Sequence, residues 1–261
     1  MTGWQCLLGA LALVALPALA DTTEGPPKIA IIIDDIGYGL AAGERALHLP
    51  GPVAYAVLPE TPRGRILAEK AHASGREVLL HLPLQSNAFN QSNEPGRLEL
   101  DMTRHQFVDM FDRDLVSVPH VVGINSHRGS LLTRHPGHMA WLMEEIRRRG
   151  NLFFVDSYTT HESVALDLAR EAGVPAVRRD VFLDPDPAPA TIAREFARLK
   201  HLARQRGFAM GIGHPYPGTL ALLEDALPRL ADEGFELVSI SNYVLLKNGR
   251  RAPQHDVASG E

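Results

Sequence analysis

The sequence contains one cysteine in 261 residues, Cys6. It lies inside an apolar leader, so a chain that has shed the leader holds no thiol. Disulfides, a cysteine nucleophile and thiolate metal ligands are all excluded. Positive charge is also short. Lys and Arg total 26 against 31 Asp and Glu, a formal net charge of −5, and nucleic-acid binding would need a basic stripe for phosphate contacts. No block of like charge stands out. Arg147–Arg148–Arg149 closes a helix-like segment, where cations suit the negative end of the helix dipole. Glycine-rich phosphate loops and dinucleotide fingerprints are missing, which removes the usual nucleotide enzymes. A serine hydrolase is the main enzymatic competitor to a metal enzyme, with Ser126, Ser130 and Ser157 near strand ends, but no Gly-x-Ser-x-Gly elbow occurs. There is no internal repeat.

What is present begins with that leader. Leu7 to Leu19 is apolar, and Ala18–Leu19–Ala20 offers the small-x-small pattern of a signal-peptidase site, although no Lys or Arg precedes the run. The run is too short to span a bilayer comfortably. Residues 1–20 therefore read as a cleavable signal peptide rather than a permanent membrane span, and the chain as exported. Export with no remaining cysteine fits the periplasm. Residues 21–27 are a polar, proline-rich linker, residues 28–248 one domain, and residues 249–261 a flexible tail. A unit of roughly 220 residues would bury about 70% of its unfolded surface.

Within the domain two periods alternate. Short apolar runs stand at Ile29–Ile33, Val53–Val57, Val78–Leu82, His120–Ile124, Leu152–Val155, Val181–Leu183, Phe208–Ile212 and Leu237–Ile240. Between them Met139, Leu142, Met143 and Ile146, and Ile192, Phe196, Leu199 and Ala203, follow helical spacing. Thr61–Pro62 and the Thr103/Gln106 capping box mark helix starts, and glycines 75, 150, 173, 207 and 234 mark helix ends. Strand and helix alternating predict a parallel sheet with helices outside, and continuous apolar runs predict strands covered on both faces. An open doubly wound sheet and a closed barrel both fit. The repeat count favours a barrel of about seven parallel strands, or a distorted (β/α) barrel related to it.

In either architecture the chemistry belongs at the carboxyl ends of the strands. Those ends carry Asp34 and Asp35, His81, Asn125 with His127, Asp156 with Ser157, Asp184, and His214. Packing alone would place one or two such groups there as caps, not nine. Asp34 and Asp35 are adjacent and are expected to point to opposite sides of the strand, one to bind a cation and one to accept a proton. Carboxylate and imidazole donors without thiolate suit zinc or another first-row divalent ion. His214, between Gly213 and Pro215, suits a positioned acid or base. The glycines around His127 are expected to permit tight turns near a ligand. His72, His105, His135, His138, His161 and His201 are expected on solvated helix faces, with His255 in the tail. The stretch 87–93 is long and polar and is expected to border the substrate.

Six ordered segments carry a resemblance: Ile-Ile-Ile-Asp-Asp-Ile-Gly-Tyr (31–38), Leu-His-Leu-Pro-Leu-Gln (80–85), Gly-Ile-Asn-Ser-His-Arg-Gly-Ser (123–130), Val-Asp-Ser-Tyr-Thr (155–159), Arg-Asp-Val-Phe-Leu-Asp (179–184) and Gly-Ile-Gly-His-Pro (211–215). In this order they resemble the divergent bacterial branch of the polysaccharide deacetylases. The resemblance implies a mononuclear metal site that hydrolyses acetamides on amino sugars of a polysaccharide. It implies Asp34 as general base, Asp35 and His81 as metal ligands, and His214 as general acid. Where ordinary members carry a second histidine four residues after the first, this chain has Gln85. His127 is then the candidate third ligand, and Gln85, Asn125, Asp156 and Asp184 are candidates to orient these groups or touch substrate. The alternative is a catalytically inactive barrel in the cell envelope, kept to bind a carbohydrate or a partner, and Gln85 is the feature that favours it.

Overall fold

The apolar runs become strands of one parallel sheet. A computed structural model describes residues 25–87 and 94–249. The expected leader, most of the linker, residues 88–93 of the expected substrate-bordering stretch and the tail beyond residue 249 lie outside the described residues. In chain order the strands are β1 (Lys28–Ile36), β2 (Ala54–Val57), β3 (Val78–Leu84), β4 (Val121–Arg128), β5 (Phe153–Asp156), β6 (Ala176–Arg178), β7 (Val181–Phe182), β8 (Phe208–Gly213) and β9 (Glu236–Leu237). The helices are α1 (Leu40–Leu47), α2 (Gly64–Ala73), α3 (Arg104–Ser117), α4 (Pro136–Arg148), α5 (Ala165–Ala172), α6 (Pro189–Arg206), α7 (Pro217–Ala226) and α8 (Ile240–Gly249).

Neighbours run β6-β5-β4-β3-β2-β1-β8-β7, with β9 beside the start of β1. β6 and β7 thus stand at opposite edges, although only Arg179 and Asp180 separate them in the chain. The Arg179 N–H donates to Asp156 O of β5 at 3.0 Å, and the Asp180 N–H donates to Met210 O of β8 at 3.0 Å. Two residues therefore carry the chain from one edge to the other and bend the sheet into a distorted barrel. Eight of the nine strands fall on the eight apolar runs, and the ninth, Ala176–Arg178, is only three residues long and too short to register as one. The Leu237–Ile240 run splits. Leu237 ends β9, and Ile240 begins α8, its N–H donating to Glu77 Oε2 at 2.8 Å.

Because both faces of the strands are covered, two apolar layers form. Outside, helices bury Met139, Leu142, Met143 and Ile146 of α4 and Ile192, Phe196, Leu199 and Ala203 of α6, the positions that helical spacing picked out. Thr103 and Gln106 form the capping box of α3. Thr61 does not cap α2, which starts at Gly64, because its hydroxyl is turned back onto Leu58 O. Inside, Ala30, Ile32, Ala54, Ala56, Leu79, Phe153, Val155, Val177, Met210 and Ile212 meet Ile240, Tyr243 and Val244 of α8. Each fully buried aliphatic side chain of this kind contributes about 1.5–3 kcal/mol. Gly123 on β4 leaves room for the Phe153 ring, which lies where a Cβ would be. Its role is packing rather than a turn, whereas Gly129, at φ +80°, does turn the chain after β4.

Asp114 and His138 are buried polar groups that lie outside the barrel. Asp114 on α3 is fully buried against Gly96, and neither carboxylate oxygen has a hydrogen-bond partner among the described residues. Burial pushes its carboxyl up to about 8, with Glu60 adding to the effect and Arg113 opposing it. His138, expected at the surface, is instead buried on α4, its ring 5.8 Å from Phe107 and 4.5 Å from Trp141. The helical stripe that includes Leu142 extends one turn back to His138, and the aromatic neighbours make the site apolar enough to take an imidazole. His72, His105, His135, His161 and His201 are exposed as expected.

Candidate functional site

The inner face of each strand continues one step beyond the apolar layer. Two residues past Ile32, Leu79, Val155, Val177 and Ile212 stand Asp34, His81, Ser157, Arg179 and His214. On β4, Asn125 pairs in register with His81, and His127 lies one further step along. Strand alternation thus delivers the polar groups into one layer at the carboxyl ends of the strands.

Asp35 is the exception to alternation and corrects the expectation that the two carboxylates diverge. Its backbone is left-handed, φ +56°, in an irregularity where the β1–β2 register shifts between Ile33 and Ile36. Such a conformation costs a non-glycine residue about 1–2 kcal/mol. It turns the side chain toward the same imidazole that Asp34 faces. His81 Nε2 lies 3.5 Å from Asp34 Oδ2 and 3.2 Å from Asp35 Oδ1.

His127 completes a triangle. Its Nδ1 is 2.9 Å from His81 Nε2 and 3.2 Å from Asp35 Oδ1. Asp35, His81 and His127 are the group of potential metal donors that converges among the described residues. Donors held about 2.0–2.2 Å from a tetrahedral ion stand roughly 3.3 Å apart, so the triangle has the right size. Asp35 Oδ1 is buried without a hydrogen-bond partner among the described residues, as an atom reserved for a cation would be.

The hydrogen-bond network fixes which nitrogen of His81 is bare. Asp34 Oδ1 can only accept, so it takes the Asn125 Nδ2 hydrogen at 2.9 Å, and Nδ2 also reaches Ser157 Oγ at 3.3 Å. Asn125 Oδ1 must then face His81 Nδ1, which donates to it. His81 Nε2 is left with a lone pair aimed into the cluster.

Charge agrees with geometry. Burial alone would push His127 down, but Asp35 and Glu94 lift it to about 9. Burial alone would push Asp35 up, but His127 and His81 hold its carboxyl far below the usual range. Asp35 and Glu94 on either side of His127 supply the negative field that a cation would need. Asp34 lies above its ordinary range because it is buried, even with His81 and His214 nearby.

Opposite stands a separate unit. Asp184, buried, accepts from His214 Nδ1 at 2.8 Å, from the His214 backbone N–H at 2.7 Å and from Thr219 Oγ1 at 2.6 Å. Among the described residues His214 Nε2 has no hydrogen-bond partner, and it lies 3.9 Å from Asp35 Oδ2. The ring lies between Phe182 and Tyr216, with centroids 6.1 and 5.3 Å away. Burial opposes the charge on His214, but Asp184 and the other carboxylates raise its pKa above the usual histidine value.

Two expected residues stand apart from the cluster. Gln85 accepts the Leu100 N–H on Oε1 at 2.7 Å and so braces the returning chain. Asp156 accepts from the Tyr158 N–H at 2.8 Å and from Ser163 Oγ at 2.8 Å, tying down the turn that presents Ser157. The strand-end reading missed Glu94 and Arg179. Glu94 Oε1 lies 3.3 Å from His127 Nε2, but in the sequence it follows a polar stretch and no apolar run leads to it. Arg179, whose side chain donates to Ser157 O and Tyr158 O and stacks on Phe182, directly follows the strand that sequence did not reveal.

The divergent polysaccharide deacetylase profile matches residues 31–244, which include the whole cluster. The chain belongs to this family. It is 37% identical to the uncharacterized protein YibQ of Escherichia coli (strain K12) over 84% of this chain and 68% of that protein. The fold is shared with an uncharacterized protein of Agrobacterium tumefaciens C58, at TM-score 0.80 and 21% identity over 84% of this chain and 89% of that one. It is shared more loosely with the catalytic domain of a peptidoglycan N-acetylglucosamine deacetylase from Eubacterium rectale, at TM-score 0.53 and 16% identity over 85% and 93%. No helix among the described residues is long and apolar enough to cross a membrane.

Proposed function

We propose that this protein is an exported, metal-dependent carbohydrate deacetylase that hydrolyses the acetamide of N-acetylated amino sugars in a polysaccharide. One observation carries the reading. The Asp35–His81–His127 triangle lies beside a buried carboxylate, Asp34, and faces an imidazole, His214, whose other nitrogen is already committed. Family membership and the deacetylase named among the fold relatives support the substrate class. A divalent ion, zinc by the chemistry of the donors, would polarise the acetyl carbonyl and acidify a water molecule when bound.

The chain's own residues divide the proton work. Asp34, fixed through Oδ1 by Asn125, presents Oδ2 to the cluster and takes the proton of the attacking water. His214 gives a proton from Nε2 to the leaving amine, while Asp184 holds Nδ1 and supports the charged ring. Asn125 links the two tasks, orienting both the base and a ligand.

Gln85 favours a second reading, a barrel retained to bind a carbohydrate or a partner without catalysis. The geometry weighs against it, because His127 supplies the third donor that Gln85 does not. Metal analysis of purified protein, with acetate release from a panel of N-acetylated glycans, separates the two. Bound metal with acetate release supports the deacetylase. Glycan binding with metal present but no acetate from any substrate would leave the binding barrel. Amino-terminal sequencing of exported protein should begin at Asp21, and a start at Met1 would show a retained leader.

A further inference from the structure

The two histidines of the triangle approach it through different nitrogens and depend on different outer partners. His81 is set by a neutral amide, Asn125, whose own orientation is dictated by Asp34. His127 presents Nδ1 inward, so its Nε2 must carry the hydrogen if Nδ1 is to offer a lone pair. Two groups compete for that Nε2. Glu94 Oε1, 3.3 Å away, can only accept and therefore demands the hydrogen there. Arg128 Nε, also 3.3 Å away, can only donate and therefore demands that Nε2 be bare. Arg128 Nη2 in turn pairs with Glu94 Oε1 at 2.9 Å, which draws the guanidinium onto the carboxylate. Glu94 is mostly buried, its side chain 17% exposed.

We propose that Glu94 is a positioning residue that holds His127 in its metal-binding tautomer against Arg128. With Glu94 present, the neutral ring that a cation requires keeps its one hydrogen on Nε2, donated to the carboxylate, and Nδ1 faces Asp35 and His81 with a lone pair. Without it, Arg128 donates to Nε2, the hydrogen moves to Nδ1, and an N–H points at the place a cation would take. This inference rests on the metal-site reading, and extends it to a residue beyond the triangle. Outer partners of this kind are worth on the order of ten- to a hundredfold in metal affinity.

The test is zinc affinity of the full chain, measured by competition with a chromophoric chelator, together with the visible spectrum of the cobalt-loaded protein. Glu94→Ala should weaken zinc binding on the order of ten- to a hundredfold and alter the cobalt spectrum. Glu94→Gln, whose amide oxygen still accepts from Nε2–H, should recover most of the loss. Arg128→Ala placed in the Glu94→Ala background should also restore affinity, because the competing donor is gone. A purely structural role for Glu94 predicts no such rescue. Zinc affinity unchanged in Glu94→Ala, or a loss that neither second change relieves, overturns the proposal while leaving the triangle intact. A wild-type protein that binds neither zinc nor cobalt overturns the metal site itself.

Discussion

Two layers of the same barrel, one residue repeat apart on the same strands, have opposite characters. The lower layer is Ala30, Ile32, Leu79, Val155 and Ile212, sealed by α8. The upper is Asp34, His81, Ser157 and His214, with Asn125 from β4. Both are largely buried, so burial does not distinguish them. The difference is that every group in the upper layer has a partner that fixes its orientation, whereas the lower needs only volume. The lower layer keeps the strands in register, and register aims the upper layer. The first should therefore be sensitive to size and the second to chemistry.

The largest expected effect breaks the upper layer at its donors. Asp35→Ala, His81→Ala and His127→Ala should each lose most bound metal and all acetate release while remaining folded, and His138→Ala should keep its metal. Metal content by mass spectrometry, with circular dichroism for the fold, checks this. Full metal in His127→Ala would mean that the third donor is another group.

Next come the proton carriers. Asp34→Asn and His214→Ala should each lower turnover about a hundred- to ten-thousand-fold, with metal retained and KM little changed. A loss of affinity instead of turnover would move both residues from catalysis to binding.

The lower layer should answer differently. Ile32→Ala, fully buried, should cost about 2–5 kcal/mol of stability, read from denaturant unfolding. Below its melting temperature it should still bind metal at full stoichiometry. Metal loss without destabilisation would contradict the division of labour between the layers.

A smaller effect comes from a buried group outside both layers. Folded Asp114 keeps its proton up to about pH 8, whereas an unfolded aspartate releases it near 4. Between these values the folded state binds more protons, so stability should fall as pH rises across that window. Asp114→Asn should flatten that dependence. An unfolding midpoint that varies with pH equally in both proteins would place the titration elsewhere.

The finest adjustment concerns the alkaline limb of the rate profile. His214 must be protonated to act, and Asp184 holds its pKa above the ordinary value. Activity should fall as pH rises through that raised pKa, and Asp184→Asn should move the fall to lower pH. An alkaline limb that stays in place would detach it from His214.

Much of this arrangement is legible in the chain because strand polarity is a strong filter. Apolar runs locate the carboxyl ends, and Asp34, His81, His127 and His214 follow directly. Asp35 is found there but aimed wrongly, since a left-handed residue in a strand irregularity leaves no mark in an apolar pattern. Glu94 is invisible because no apolar run in the sequence leads to it, and only the folded chain brings it to His127. Arg179 is missed with its strand, three residues being too few to read as a period. His138 is misplaced because a histidine beside Trp141 reads as polar, while its aromatic neighbours make it core.

The crossing at Arg179 and Asp180 has a consequence for solubility. The barrel is closed there by covalent chain, and Asp180 rivets the join through the Tyr243 hydroxyl, the Met210 N–H and Arg206. An open parallel sheet would expose two rows of unsatisfied amides and carbonyls, each able to recruit a strand from another molecule. Here both margins belong to one short segment, so neither can be freed without the other. A protease cut between these two residues would remove no core side chain and no metal ligand, yet it would unlock both margins at once. Damage at this spot should surface first as self-association, before any loss of secondary structure.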